Sequence, residues 1–311
     1  MTPVLGIDIG GTNTAFGLVD ADGRVIAHGS LPTRGHGSFE AFVEAVRAAV
    51  QGCMDAVGIA AISGVGVGAP NGNYFTGNIV FAPNLPWTGI LPVAQLFEAA
   101  FGAKTVVTND ANAAALGEKK FGRAKDFDDF ILVTLGTGLG SGFVANGQLI
   151  YGHDGFAGEL GHVVAVRGGR TCGCGRKGCL ERYASATGIV ITAQERLSDP
   201  DCNSLLRVHG ARLTATHIAE AASAGDATAL EIFDYTARIL GEVLADTVAI
   251  TSPAAIVLFG GLANAGELLM EPLRRHFETN LLNIYQGKVQ LLLSALPGSD
   301  AAILGAAAIA R

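Results

Sequence analysis

No run of Lys or Arg in this chain is longer than a pair, and the formal net charge is −7. The surface therefore lacks the basic stripe that a nucleic-acid backbone requires. No G-x-x-x-x-G-K-[S/T] occurs, which excludes a P-loop nucleotide site. Gly64 to Ala69 formally fits G-x-G-x-x-A, but Pro70 and Asn71 follow where a helix should open. No acidic residue stands about twenty residues further on either, so the dinucleotide fingerprint fails on context. The N-terminus has no basic segment ahead of a long apolar one, and the most apolar stretch, 291–310, is interrupted by Pro297 and Asp300. Neither a secretory leader nor a membrane span is expected. Cysteine is scarce, five in 311 residues, and the odd number argues against a disulfide framework. These absences describe a soluble cytoplasmic protein whose thiols stay reduced.

What remains is apolar and rich in glycine. Hydrophobic residues make up 49% of the chain and charged ones only 16%, enough for a substantial core in two domains or one two-lobed unit. The 43 glycines gather in tight turns after apolar runs, as where backbone approaches a ligand. Pro3 to Ile9, Ala15 to Val19 and Arg24 to Gly29 read as strands, joined by Gly10-Gly11-Thr12 and by Asp20 to Gly23. Phe130 to Leu135, Ser141 to Val144 and Gln148 to Tyr151 repeat this plan around Gly136-Thr137-Gly138 and Asn146-Gly147. An offset of 125 places Gly11, Thr12, Gly17 and Val19 on Gly136, Thr137, Gly142 and Val144, implying two similar halves. Helices are expected over 39–51, 111–121, 227–250, 266–277 and 299–310, with further strands over 58–67, 104–108 and 255–259. The class is α/β with mixed sheets.

Four soft donors lie within a short span. His162, Cys172, Cys174 and Cys179 supply one imidazole and three thiolates, the donor set of a closed structural Zn²⁺ site, and Cys53 and Cys202 stand apart as ordinary thiols. Glu159 and Glu181 flank the set, outside its four ligand positions and able to do other work.

Two turns are suited to phosphate. Gly10-Gly11-Thr12, continued by Asn13, offers successive backbone N–H groups, and Asp8 just before it could hold Mg²⁺ through water. Gly136-Thr137-Gly138 offers a matching clasp, and Gly260-Gly261 a third glycine pair after a strand. Asn109-Asp110 ends a strand and opens a helix. Either residue can serve as an N-cap, and a carboxylate opposite phosphate loops can also take a proton from an attacking hydroxyl. Asn84, in the rigid segment Pro83 to Trp87, and Asn71 and Asn73 in a polar loop are candidate hydrogen-bond partners.

Taken in order, D-I-G-G-T (8–12), G-A-P-N (68–71), N-L-P-W (84–87), N-D-A-N (109–112), G-T-G-L-G-S-G (136–142), G-E-L-G-H (158–162) and C-x-C-G-x-x-G-C-x-E (172–181) resemble the ROK-family sugar kinases. The resemblance runs from the first strand to the last helix. It implies the two-lobed actin-like ATPase (ribonuclease H-like) fold, with internal duplication and a central cleft. The smaller lobe is then expected over 1–120, with a C-terminal helix of about 299–311 packing back on it, and the larger lobe, with the zinc loop, over 121–298. Asp110 then matches the catalytic base. Asn71, Asn84, Asn109, Asp110, Glu159, His162 and Glu181 match sugar-binding positions. Asp8, Gly10, Gly11, Thr12, Asn13, Gly136, Thr137, Gly138, Gly260 and Gly261 match the ATP·Mg²⁺ clasp, and His162, Cys172, Cys174 and Cys179 the zinc ligands. The expected reaction is ATP-dependent phosphorylation of glucose by a homodimer. Fructose, mannose, allose, N-acetylglucosamine and N-acetylmannosamine are the alternative acceptors, and polyphosphate an alternative donor. A silent sugar sensor would have lost Asp8 or Asp110, and both are present. A sugar-independent ATPase of the actin or heat-shock kind has no use for the zinc loop. The first strand begins near Pro3, leaving no room for the helix-turn-helix of the family's repressors.

Overall fold

The computed structural model describes residues 2–296 and 300–310. In chain order the elements are β1 (Val4–Ile9), β2 (Asn13–Val19), β3 (Val25–Pro32), α1 (Phe39–Val57), β4 (Val65–Gly68), β5 (Ile79–Val80), β6 (Ile90–Leu91), α2 (Val93–Phe101), β7 (Thr105–Thr108) and α3 (Asp110–Phe121). They continue as β8 (Phe130–Leu135), β9 (Leu139–Ala145), β10 (Gln148–Leu149), α4 (Ala186–Leu197), α5 (Ala215–Ser223), α6 (Ala227–Thr251), β11 (Ala255–Phe259), α7 (Glu267–Asn280), β12 (Gln290–Leu293) and α8 (Ala301–Ile309). Ser299, the expected start of the last helix, lies outside the described residues, as do Pro297 and Arg311. No helix among the described residues is long and apolar enough to cross a membrane.

Two five-stranded sheets share one plan. Their strand orders are β3-β2-β1-β4-β7 and β10-β9-β8-β11-β12. In the first, β1, β4 and β7 run parallel, and β2 runs antiparallel to its neighbours β1 and β3; in the second, β8, β11 and β12 run parallel. Phe130 and Leu135 stand to Val4 and Ile9 as Leu139 and Ala145 stand to Asn13 and Val19, an offset of 126 between strand boundaries, one more than the motif alignment uses.

By contacts the chain forms two units, one of 1–128, 142–158 and 295–311, the other of 129–141 and 159–294. The sequence expectation places 121–158 wholly in the second lobe.

In the first unit, period-2 alternation sorts the residues of β1 between two faces. Leu5, Ile7 and Ile9 join Phe42, Val46 and Val50 of α1 in one core. Val4 joins Ile303, Leu304 and Ala307 of α8 in another. On that second face β1 and β4 carry Gly6 and Gly66, and α8 lies so close that a Cβ at either would overlap the carbonyl oxygen of Ile303 or Ala306. Glycine in these strands is the condition for seating the helix. Asp8, two residues beyond Gly6, belongs to the same face.

One strand expectation fails. The sequence predicts a single buried strand over 58–67, but only the last three residues of that segment enter β4. α1 begins at its Ser38 cap, whose Oγ accepts from the Ala41 N–H at 3.2 Å, and continues to Val57, where Gly58 at φ 71° closes it. Ala60, Ala61 and Ser63 are exposed. Apolar character alone did not separate a helix exit and loop from a strand.

In the second unit α6, capped by the Asp226 side chain on the Ala229 N–H at 2.8 Å, packs against α7. Asp234 of α6 accepts from Arg275 of α7 at 2.5 Å, and His276 lies 3.0 Å from the same oxygen.

Candidate active site

The chemistry-bearing residues of the first unit lie at the C-terminal ends of its parallel strands, where ligands of open α/β sheets bind. Asp8 is level with Gly68 of β4, and Gly68 with Thr108 of β7. Asn109 and Asp110 follow directly. The Asn109 side chain caps α3, its Oδ1 accepting from the Asn112 N–H at 2.7 Å, so the N-cap reading holds for this residue. Its amide NH₂ remains a donor. Asp110 Oδ1 accepts from the Ala111 N–H at 2.8 Å.

The charge of one carboxylate acts on the other. Burial first, and then the charge of Asp110, push the Asp8 carboxyl up to about 7. Burial also raises Asp110, opposed by the backbone N–H of Ala111 and its own. Asp110 nevertheless keeps an exposed surface, which tempers the shift. A carboxylate raised toward neutrality and still open to water is suited to accept a proton.

The turn after β1 is held from several sides. Gly10 N–H donates to Asn13 O at 3.1 Å, Thr33 Oγ donates to Gly10 O at 2.7 Å, and Thr33 N–H donates to Thr12 O at 2.9 Å. The side chains of Thr12 and Asn13 are exposed. Arg34 donates from Nε to Gly11 O at 3.0 Å and from Nη2 to Asn84 O at 3.3 Å. The glycine turn and the loop carrying Asn84 are thus joined. Trp87 of that loop packs on Phe39 and Phe42, with ring centroids at 5.1 and 4.9 Å. Asn71 spends its amide on Val80 O at 3.0 Å and Phe81 O at 3.3 Å. Asn73 is buried and satisfied, donating to Asp154 O at 2.6 Å and accepting from the N–H groups of Phe75 and Thr76.

The second unit gathers the soft donors. The ligand atoms of His162, Cys172, Cys174 and Cys179 all lie within 4.8 Å of one another. Cys174 and Cys179 Sγ are 3.6 Å apart, and His162 Nδ1 is 3.7 Å from Cys172 Sγ. A tetrahedron with bonds of about 2.3 Å has edges of about 3.8 Å, so the set fits Zn²⁺. The backbone N–H of Arg176 contributes most to lowering the Cys174 thiol to about 6, favouring a thiolate at that corner. Arg170 anchors the loop to α4, donating to Thr192 Oγ at 2.9 Å and pairing with Glu195, with its guanidinium over the Tyr183 ring at 4.4 Å.

Both glutamates touch this centre. His162 turns Nδ1 toward Cys172, while Nε2 lies 4.0 Å from Glu159 Oε2. Glu181 places Oε1 3.7 Å from Cys172 Sγ, and its Oε2 accepts from the Leu139 N–H at 3.3 Å. That carboxylate leaves no room for a Cβ at Gly138. The turn Gly136-Thr137-Gly138 is therefore built against the cysteine loop, a link reinforced by Ala186 N–H donating to Gly136 O at 2.8 Å. Gly260 packs on Leu135, and Leu262 N–H donates to Leu135 O at 3.0 Å, which sets the Gly260-Gly261 pair beside the end of β8.

Sequence reasoning missed Arg34 and Tyr151. Tyr151 neighbours the Thr108 side chain, just ahead of Asn109, and its ring stacks on Tyr74 at 4.1 Å. Neither residue lies in a motif, and both act across long sequence separations.

The profile of the ROK family matches residues 4–311. The chain is 37% identical over 313 residues to a glucokinase of Streptomyces coelicolor, spanning 99% of this chain and 97% of that one. It is 34% identical over 307 residues to an N-acetylmannosamine kinase of Citrobacter koseri, spanning 99% and 98%. Among solved structures it superposes on a ROK family glucokinase from Streptomyces griseus in complex with glucose and AMPPNP, with a TM-score of 0.83, 37% identity and 99% of each chain covered.

Proposed function

Because the chain belongs to the ROK family, we propose that it transfers the γ-phosphoryl group of ATP to a hexose hydroxyl, with glucose as the acceptor. The fold is the actin-like α/β ATPase fold of that family. The observation that carries the reading is the carboxylate pair: Asp8 near the C-terminal end of β1, level through Gly68 with Thr108, and Asp110 two residues beyond Thr108, its charge acting on Asp8.

Asp110 accepts the proton of the sugar hydroxyl as that oxygen attacks the γ-phosphorus; one O–P bond forms while the bond to the ADP oxygen breaks. Asn109 orients a neighbouring hydroxyl through its free NH₂, and Asn84 holds another. In the second unit Glu159, His162 and Glu181 accept from and donate to further sugar hydroxyls. The N–H groups of Gly11 to Asn13, and those of Thr137, Gly138 and the turn at 260–261, hold phosphate oxygens. Asp8 would hold Mg²⁺ through water, and the ion, when bound, neutralises phosphate charge. Four protein donors leave no open position on a zinc ion, so His162, Cys172, Cys174 and Cys179 would hold it as a structural centre that fixes Glu181 and the imidazole of His162.

N-acetylmannosamine is the second reading, supported by the 34% identity to that kinase. A cytoplasmic homodimer is the proposed working form, checked by light scattering on eluting protein. Initial rates for glucose, mannose, fructose, allose, N-acetylglucosamine and N-acetylmannosamine with ATP or polyphosphate test the assignment. It predicts the highest kcat/KM for glucose with ATP. Preference for an amino sugar would move the assignment to the second reading, and no turnover with any of them would refute it.

A further inference from the structure

The turn Gly10-Gly11-Thr12-Asn13 has no cation of its own, and the basic group bonded to it is the guanidinium of Arg34. That side chain is exposed, yet it is held at two points, Gly11 O and Asn84 O. Ordering an exposed arginine costs rotamer entropy, so a fixed position here needs a compensating return. No ion pair to a carboxylate neutralises it among the described residues.

The geometry of the fork decides what is left. The bonds to the protein use Nε and one hydrogen of Nη2. The opposite edge, Nη1 with the second Nη2 hydrogen, stays open, and an arginine edge of this kind binds two oxygens of one phosphoryl group. We propose that Arg34 is the phosphate-binding cation of this turn: one edge joins Gly11 to the Asn84 loop, and the other holds the oxygens of the phosphoryl group in transfer. Arg34 thereby reads acceptor and donor from a single side chain. The inference rests on the kinase reading, because it needs a phosphoryl group at this turn.

Wild-type turnover of ATP and glucose is measured first, so that failure of the kinase reading is seen separately. Arg34→Gln and Arg34→Lys are then compared with wild type in kcat, in KM for ATP and in glucose affinity without nucleotide, read from the fluorescence of the chain's one tryptophan, Trp87. Arg34→Gln should lose roughly 10²- to 10³-fold in kcat, as removal of one transition-state donor does elsewhere. Its glucose affinity should stay within a few-fold. Arg34→Lys should fall between the two, since it keeps the charge and loses the fork. Added guanidinium should restore part of the Arg34→Gln loss. A clamp with no part in phosphate binding would instead weaken glucose binding and leave kcat at saturation within about threefold of wild type, and that result overturns the proposal. If Arg34→Gln does not fold, the same comparison on Arg34→Lys decides: unchanged kcat overturns the proposal and reduced kcat with intact glucose binding supports it.

Discussion

Raising the pH from 5 to 8 should cost the nucleotide-free protein stability through Asp8. Its carboxyl titrates at about 7 in the fold against an ordinary value of 3.8. The folded state therefore binds the extra proton between these values, and the linkage sign follows: stability falls as pH climbs from about 4 to about 7, then levels. The full difference of about three pH units corresponds to an upper limit of ~4 kcal/mol. Asp8 is only partly buried, and part of the effect comes from the neighbouring charge of Asp110, so about half is a reasonable expectation. Asp8→Asn removes the titration while keeping the shape. Only about two of those units lie above pH 5, so thermal melts of both proteins in Mg²⁺-free buffer should show the variant gaining on wild type by about 1–2 kcal/mol between pH 5 and pH 8, a few degrees in Tm. Activity should be lost at the same time. A Tm difference that does not change with pH would refute the reasoning, because a carboxylate with an ordinary pKa is already ionised at pH 5.

Two further substitutions or removals test the scaffold. Gly66→Ala places a Cβ against the Ala306 carbonyl, forcing α8 off the sheet; a loss of about 1–3 kcal/mol in urea unfolding is expected, and an unchanged midpoint would mean that the helix yields freely. Metal analysis should find one zinc per chain. Its removal by chelator, with Mg²⁺ restored, should raise KM for the sugar or unfold the second unit. Normal sugar kinetics in metal-free protein would separate the cysteine loop from substrate binding.

Much of this organisation is legible in the chain because it is local. β8 and β11 have the expected boundaries, since each is a short β-branched run stopped by glycine. The repeat is legible in the hairpins and reappears as identical strand order. The donor set of the cysteine loop can be read from residue type and spacing alone. Long-range contacts leave no such trace. Nothing in the sequence marks Arg34 as the link from Gly11 to Asn84, or Glu181 as the acceptor for Leu139 N–H. Asn71 and Asn73 look equivalent as polar loop residues, yet Asn73 is buried as a turn-former, and Asn71 is tied to two carbonyls. α2 escaped notice because Pro92 opens it without any side-chain cap.

Asp110→Asn tests the central claim most directly. The amide oxygen can still accept from the Ala111 N–H, so the start of α3 and the glucose site should survive, with Trp87 fluorescence giving a glucose Kd within a few-fold of wild type. Turnover should fall by about 10²- to 10⁴-fold, the contribution of a general base. A variant that binds glucose normally and keeps more than about a tenth of wild-type kcat would contradict the account, because proton removal would then not depend on Asp110.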